Sequence, residues 1–204
     1  MAFIQTVPVD EASGDVRAMY QRRQEMIGYV PNFAKVFSRG PQVFAAWEVL
    51  ISGIRQNLDA RRYELVTLAA ARALKSSYCM LAHGTILRDQ FYSEKHLAAI
   101  AQDYADSDLE PADVAMMAFA ERVVFNASDI REAEVQELRT HGFTDDQIFG
   151  VAAAAAARCF LSKLVDALGA RPDSDYERLE RDLKRVLTPG RTISKESVER
   201  VPGS

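Results

Sequence analysis

Apolar residues recur every three or four positions along almost the whole chain, which is the spacing of one face of an α-helix. No stretch alternates apolar and polar residues for long enough to predict a β-strand. Glycine and proline interrupt the helical pattern at short intervals, for example at Gly28, Pro41 and Pro111. We therefore predict an all-α fold of about nine or ten helices, some of them very short.

Composition and charge are those of an ordinary folded protein. Of the 204 residues, 48% are hydrophobic and 26% are charged, close to the average for soluble globular proteins. A net charge of −4 argues against binding to nucleic acid, which needs a concentrated basic surface. The N-terminus does not resemble a secretion signal, and Arg158 interrupts the most apolar run before it reaches the length of a membrane-spanning helix. We expect a cytoplasmic protein with no nucleic-acid partner and no membrane partner.

The chain divides into a long helical region and a short C-terminal segment. Residues 1–188 are predicted to form a single all-helical domain. Residues 189–204 lack a core-forming pattern, so we expect either a frayed tail or an arm across a neighbouring subunit. Within the domain, "TLAAARAL" before "CMLAHG" is similar to "AAAAARCF" before "VDALGA". An internal helical repeat is one interpretation, and chance similarity between alanine-rich helices is the other.

Capping signals predict where several helices begin. Asp59 is the natural N-cap of the helix "ARRYELVTLAAARAL". The pairs Asp129–Glu132 and Thr144–Gln147 both have the spacing of a capping box. The stretch "DYERLERDLKRVL" is predicted to form a charged amphipathic helix that ends before Pro189.

The stretch "SSYCMLAHG", residues 76–84, holds one of the two cysteines and one of the three histidines. Cys79 and His83 are four positions apart, so on a helix they lie on the same face. If Ser76 is the N-cap, Cys79 lies in the first turn, where unpaired backbone N–H groups and the helix dipole favour a thiolate. His83 can accept the thiol proton or, as imidazolium, stabilise the thiolate. We therefore predict Cys79 as a candidate nucleophile and His83 as its base.

Glu64 lies on the preceding alanine-rich helix, in an apolar context where an unpartnered carboxylate is costly to bury. If the two helices form an antiparallel hairpin that turns at residues 75–77, Glu64 reaches His83 and orients its ring. The resulting carboxylate–imidazole–thiol relay is a candidate for acid/base-activated nucleophilic chemistry.

A structural interpretation of the same residues remains open. Cysteine is among the most buried residue types, so the pattern alone also fits a core thiol at Cys79 and a satisfied core histidine at His83. One cysteine and one histidine supply two ligands where a structural zinc ion needs four. We expect no metal and no cofactor.

The combination of Glu64, eleven intervening residues and "SSYCMLAH" resembles the alkylhydroperoxidase D and carboxymuconolactone decarboxylase family, in particular its peroxidase-related branch. The stretches "EASGDVRAMYQRRQEMIGYVPNFAKVFSRGPQVFAAW" and "LVDALGARPD" are also similar to that branch, so the resemblance covers residues 8 to 175. It implies an alkylhydroperoxidase D-like helical bundle that assembles as a homo-oligomer, often a trimer or a hexamer. It also implies that Cys79 attacks a peroxide while His83 and Glu64 assist proton transfer.

Ser76 departs from the family pattern, because the family's peroxidases carry there a second cysteine that resolves the oxidised sulfur as a disulfide. A serine hydroxyl cannot form a disulfide, so this internal dithiol cycle cannot operate at residues 76 and 79. Cys159 can take over only if the fold brings its Cα within about 7 Å of that of Cys79. Otherwise an external thiol, or Cys79 of another subunit, has to reduce the oxidised cysteine.

Three functions compete on these residues. The first is a thiol-dependent peroxidase that uses Cys79 alone, with an external thiol reductant and a hydroperoxide as its small-molecule substrate. The second is a non-redox acid/base enzyme of the carboxymuconolactone decarboxylase type, in which Glu64 and His83 move protons on a small carboxylate or lactone. The third is a degenerate, non-catalytic helical oligomer. We rank the peroxidase first, with Cys79, His83, Glu64 and Ser76 as its site.

Overall fold

The computed structural model describes residues 2–202 of the chain as a bundle of ten α-helices joined by short loops and 3₁₀ turns. The helices are α1 (Gly14–Ile27), α2 (Asn32–Val36), α3 (Pro41–Ile54), α4 (Ala60–Ala73), α5 (Ser77–Gln90), α6 (Glu94–Asp103), α7 (Pro111–Asn126), α8 (Glu132–Thr140), α9 (Asp145–Ala167) and α10 (Arg181–Leu187). Within the described residues there is no β-strand, only an isolated bridge between Val30 and Glu199. The prediction of an all-α fold is therefore confirmed.

Helix α4 lies at the centre of the bundle and packs against α5, α7 and α9. It begins as predicted, because the side chain of Asp59 accepts a hydrogen bond from the backbone N–H of Arg62 at 2.9 Å. The residues from Tyr63 to Ala71 are all buried, and the small alanines among them allow the neighbouring helices to approach closely. The central helix thereby fixes the position of its polar side chains relative to α5 and α9.

Helices α4 and α5 form the hairpin predicted from the sequence. The turn between them includes Lys75, which has a φ of 53°, and Ser76 occupies the N-cap position of α5. The Ser76 side chain makes no capping hydrogen bond, which differs from the usual behaviour of an N-cap serine. Cys79 is nevertheless the third residue of α5, in its first turn.

Helix α9 is the other long core helix, and its capping box at Thr144 and Gln147 forms as predicted. By length and composition α9 is the one described helix that is apolar enough to cross a membrane. Half of its most apolar window is buried in the bundle, where it packs against α4 and α7. Such burial is typical of a core helix.

Two predicted helix starts are wrong. Helix α8 begins at Glu132 with Arg131 as its N-cap, and the backbone N–H of Arg131 donates a hydrogen bond to the side chain of Glu134. The predicted pair Asp129–Glu132 is therefore not the capping pair. The charged stretch before Pro189 is also not one helix, since a 3₁₀ segment at Ser174–Arg178 precedes α10. Leu179 lies between them in extended conformation and is buried, so core packing breaks the helix there.

The described part of the C-terminal segment packs on its own chain. The N–H of Gly190 donates to Ser77 Oγ at 2.8 Å, and the N–H of Ser194 donates to the carbonyl of Pro172 at 2.8 Å. Ile193 and Val201 are buried and belong to the same apolar cluster as the rest of the core. The division into residues 1–188 and 189–204, and the role of the segment as an arm between subunits, stay predictions.

Candidate active site

A cavity of about 490 Å³ opens between α1, α3, α4, α5 and α9. Its walls are mostly aromatic and aliphatic, with Phe33, Phe44, Trp47, Tyr63 and Tyr78 among the lining side chains. Cys79, His83 and Glu64 all reach this cavity, so the structure brings three of the four predicted site residues together.

Cys79 is 3% exposed and its thiol forms part of the cavity wall. Its sulfur has two polar neighbours on α9, which the sequence reasoning missed as site residues. Ser162 Oγ donates a hydrogen bond to Cys79 Sγ at 3.0 Å, and one guanidinium nitrogen of Arg158 lies 3.7 Å from the same sulfur. The only signal in the sequence was the position of Arg158 within a run of alanines, where an unpaired cation is costly to bury.

Glu64 and His83 form the predicted carboxylate–imidazole pair. Glu64 Oε2 lies 2.5 Å from His83 Nδ1, and Glu64 Oε1 accepts a hydrogen bond from Arg55 at 2.8 Å. Glu64 is 1% exposed, and Arg55 and His83 bind the two oxygens of this buried carboxylate. Arg55 was not predicted as part of the site.

The protonation states follow from these contacts. Burial alone raises the pKa of Glu64, but the interactions with His83, Arg55 and Arg158 outweigh burial and lower it below its ordinary value. Burial and the charge of Arg158 lower the pKa of His83, although Glu64 acts in the opposite direction. An ionised carboxylate only accepts hydrogen bonds. Nδ1 of the neutral His83 ring therefore carries the proton and donates a hydrogen bond to Glu64. Nε2 is then the lone-pair nitrogen, as a general base requires.

Ser76 lies at the same end of α5 but has a different neighbour. It is fully buried, and its hydroxyl lies beside the carboxylate of Asp166 on α9, where it partly offsets the rise in the pKa of Asp166 that burial causes. No hydrogen bond joins Ser76 to Cys79 among the described residues.

Cys159 is the other cysteine and is partly exposed on α9. It follows Arg158 directly, and neighbouring residues on a helix point about 100° apart. It is not among the residues that line the cavity. Burial raises the pKa of the Cys159 thiol, which disfavours its thiolate.

The described residues contain no group of three or more histidine, cysteine, aspartate or glutamate side chains able to hold a metal ion.

Comparison with known proteins places part of the chain in a family match. The carboxymuconolactone decarboxylase family matches residues 41–122, a segment that contains Glu64, Ser76, Cys79 and His83. No curated protein matches the chain.

Two solved structures of peroxidase-related proteins have the same fold. One, from Ralstonia eutropha JMP134 and described as an alkylhydroperoxidase AhpD core, has a TM-score of 0.78 at 26% identity over 86% of this chain and 94% of its own. The other, from Silicibacter sp. TM1040, has a TM-score of 0.75 at 21% identity over 84% of this chain and 92% of its own. The debrominase Bmp8 shares the fold at 16% identity, with a TM-score of 0.66 over 84% of this chain and 89% of its own.

The fold and the site together define an alkylhydroperoxidase D-like helical protein. The family resemblance predicted from the sequence is confirmed, since the carboxymuconolactone decarboxylase family model matches residues 41–122 and the fold is that of an alkylhydroperoxidase D-like protein.

Proposed function

We propose that the protein is a thiol-dependent peroxidase that reduces hydroperoxides with a single cysteine, Cys79, and an external thiol reductant. The observation that carries this proposal is the surrounding of the Cys79 sulfur at the cavity wall. A hydroxyl donor and a guanidinium contact it, and a neutral histidine held by a carboxylate lies one helical turn away. Nucleophilic cysteines are activated by such neighbours.

The chemistry balances on these groups. The Cys79 thiolate attacks one oxygen of R–O–O–H, the O–O bond breaks, and the sulfur is oxidised to a sulfenic acid while the peroxide is reduced. His83 Nε2 takes the thiol proton and returns it to the leaving alkoxide, which becomes the alcohol. An external thiol then displaces water from the sulfenic acid, and a second thiol releases the external disulfide and restores Cys79. Ser76 has no part in this resolution because it carries no thiol.

A second candidate is a non-redox acid/base enzyme acting on a small carboxylate or lactone. The observation in its favour is that Arg55 binds Glu64 and Glu64 binds His83, so that His83 can act as a base without the Cys79 sulfur. It predicts that Cys79→Ser retains activity and that His83→Gln loses it. The peroxidase predicts that Cys79→Ser is inactive.

We also propose that the protein works in the cytoplasm as a homo-oligomer, a trimer or a hexamer. Several large apolar side chains near the cavity mouth and on α3 are exposed, namely Met26, Ile27, Val43, Val49, Leu50 and Phe160. Exposed apolar patches of this kind are typical of protein contact surfaces. Light scattering of the purified chain measures the mass of the assembly, and a monomer at working concentrations contradicts this part of the proposal.

The test of the proposed function is trapping of the sulfenic acid. The native protein is mixed with an organic hydroperoxide in the presence of dimedone, and the modified peptide is identified by mass spectrometry. We expect an adduct on Cys79 in the wild type and in the Cys159→Ser control. Absence of the adduct on Cys79, in protein that is folded by circular dichroism, rejects the peroxidase and leaves the acid/base enzyme or a non-catalytic oligomer.

A further inference from the structure

Arg158 is a buried cation without a carboxylate partner. It is 3% exposed, and no carboxylate oxygen lies within 4.0 Å of its guanidinium among residues 2–202. Its Nε atom has no hydrogen-bond partner in the same part of the chain. The guanidinium lies over the ring of Trp47, with 5.8 Å from its central carbon to the ring centroid. A buried charge is strongly disfavoured unless an anion or several acceptors compensate it.

The thiol of Cys79 lies beside Arg158 and can become an anion. Arg158 lies 3.7 Å from Cys79 Sγ, and Ser162, one turn further along α9, donates to the same sulfur at 3.0 Å. Ser162 is fully buried, so this hydrogen bond is protected from water. A hydroxyl donor and a guanidinium from one helix face thus converge on one sulfur atom.

The other charged groups around the sulfur are already compensated or neutral. Glu64 makes its direct contacts with Arg55 and His83, and it interacts with Arg158 only at longer range. His83 faces the cavity from α5, and Tyr176 faces Cys79 from the 3₁₀ segment between α9 and α10. Both side chains are neutral at neutral pH, since burial raises the pKa of Tyr176 and lowers that of His83.

We propose that Arg158 and Ser162 hold Cys79 as a thiolate, so that the charge of the nucleophile is stabilised by α9 while His83 and Glu64 handle the proton. The inference rests on the function proposed above, because the same sulfur is the nucleophile, and it adds two residues that contact the reacting atom. It also accounts for an arginine in the middle of an alanine-rich core helix, which has no carboxylate oxygen within 4.0 Å among residues 2–202.

The experiment measures how fast iodoacetamide alkylates Cys79 across pH, in a Cys159→Ala background, with the modified peptide quantified by mass spectrometry. At about pH 6, below the ordinary range of a cysteine thiol, we expect Arg158→Gln to slow alkylation about tenfold or more and Ser162→Ala about threefold. At about pH 10, above the ordinary range of a cysteine thiol, we expect the differences between the variants to narrow. Arg158→Lys retains the charge and is expected to lie between Arg158→Gln and the parent.

Lys163→Gln is the matched control, because it removes a cation from an exposed position on the same helix. It is expected to leave the profile of the parent unchanged. Superimposed profiles for the parent, Arg158→Gln and Ser162→Ala overturn the proposal, and so does an equal loss in Lys163→Gln. If Arg158→Gln does not fold, Ser162→Ala decides, since it removes one oxygen atom from a packed site.

The two proposals fail separately. A protein that forms no sulfenic acid, but whose alkylation at about pH 6 depends on Arg158 and Ser162, rejects the peroxidase and keeps the thiolate site. A protein that forms the sulfenic acid while alkylation is indifferent to both residues keeps the peroxidase and rejects the thiolate site.

Discussion

The two alanine-rich core helices, α4 and α9, are similar in sequence and different in what their arginines do. Arg72 near the end of α4 pairs with Glu121 of α7 at 2.7 Å, and both side chains are partly exposed. Arg158 of α9 is buried, has no carboxylate partner among the described residues and contacts Cys79. An arginine in an alanine-rich helix is therefore a structural ion pair in one case and a candidate functional group in the other, and only the partner distinguishes them.

The two helices also differ at their ends. Helix α4 stops at Ala73, and the chain turns at Lys75 before it starts α5 with the reactive cysteine. Helix α9 continues without a break to Ala167, so the stretch "VDALGA", residues 165–170, begins inside the same helix. The internal repeat stays a prediction, but the break after α4 is what places Cys79 in the first turn of a helix.

Replacing each of these two arginines by methionine tests the difference between them most strongly. Arg158→Met is expected to slow peroxide-dependent thiol oxidation about tenfold or more while stability stays equal or rises, because a buried charge is replaced by an apolar side chain. Arg72→Met removes a partly exposed ion pair, so we expect a loss of about 1 kcal/mol or less with the rate unchanged. Urea unfolding and a turnover assay on both variants check the pattern. Equal effects of the two substitutions on rate contradict it.

Asp173, which follows α9 in the chain and contacts Tyr78 of α5, provides the next test. Its carboxylate accepts hydrogen bonds from the Tyr78 hydroxyl and the N–H of Asn32, and burial raises its pKa to about 6. A raised pKa means that the neutral form stabilises the fold fully at acidic pH and that this contribution is lost as the pH rises through about 6. Asp173→Asn keeps a neutral side chain at every pH. We therefore expect the variant to gain up to about 3 kcal/mol over the wild type at neutral pH and little at about pH 4.

Urea unfolding of wild type and Asp173→Asn at the two pH values measures this difference. The lowered pKa of His83 acts in the opposite direction, since it makes the fold more stable as the pH rises towards the ordinary histidine range. That effect is present in both proteins and cancels in the comparison. A stability difference that is the same at acidic and neutral pH contradicts the account.

A further test concerns the C-terminal segment, which contacts both helices. Gly190 lies against the turn after α4, and the next residue, Arg191, donates to the carbonyl of Asp166 near the end of α9 at 2.9 Å. A Cβ at residue 190 overlaps the carbonyl oxygen of Lys75, which belongs to the backbone and cannot rotate away. We expect Gly190→Ala to cost about 2 kcal/mol in urea unfolding. Gly53→Ala on α3, where a Cβ meets nothing within 4 Å, is the matched control.

Much of the site was predictable because its parts are close in sequence. Cys79 and His83 share a helix face by their spacing, and Glu64 is brought to them by a simple hairpin. Arg158 and Ser162 were not predictable, because they reach Cys79 through the packing of α9 across the bundle, which helical periodicity does not encode. Arg158 stood out in the sequence only as an interruption of an apolar run. The C-terminal segment lacks periodicity altogether, so its contacts with Ser77 and the core had no local signal.

The most direct test of a nucleophilic Cys79 uses Trp47, the only tryptophan in the chain. Trp47 lines the cavity and lies over Arg158, so oxidation of the Cys79 sulfur changes the charge beside its ring. Tryptophan fluorescence is followed by stopped flow after the native protein is mixed with an organic hydroperoxide. We predict a single phase whose rate rises linearly with hydroperoxide concentration, is retained in Cys159→Ser and is absent in Cys79→Ser. No hydroperoxide-dependent phase in the wild type, or the same phase in Cys79→Ser, contradicts a nucleophilic role for Cys79.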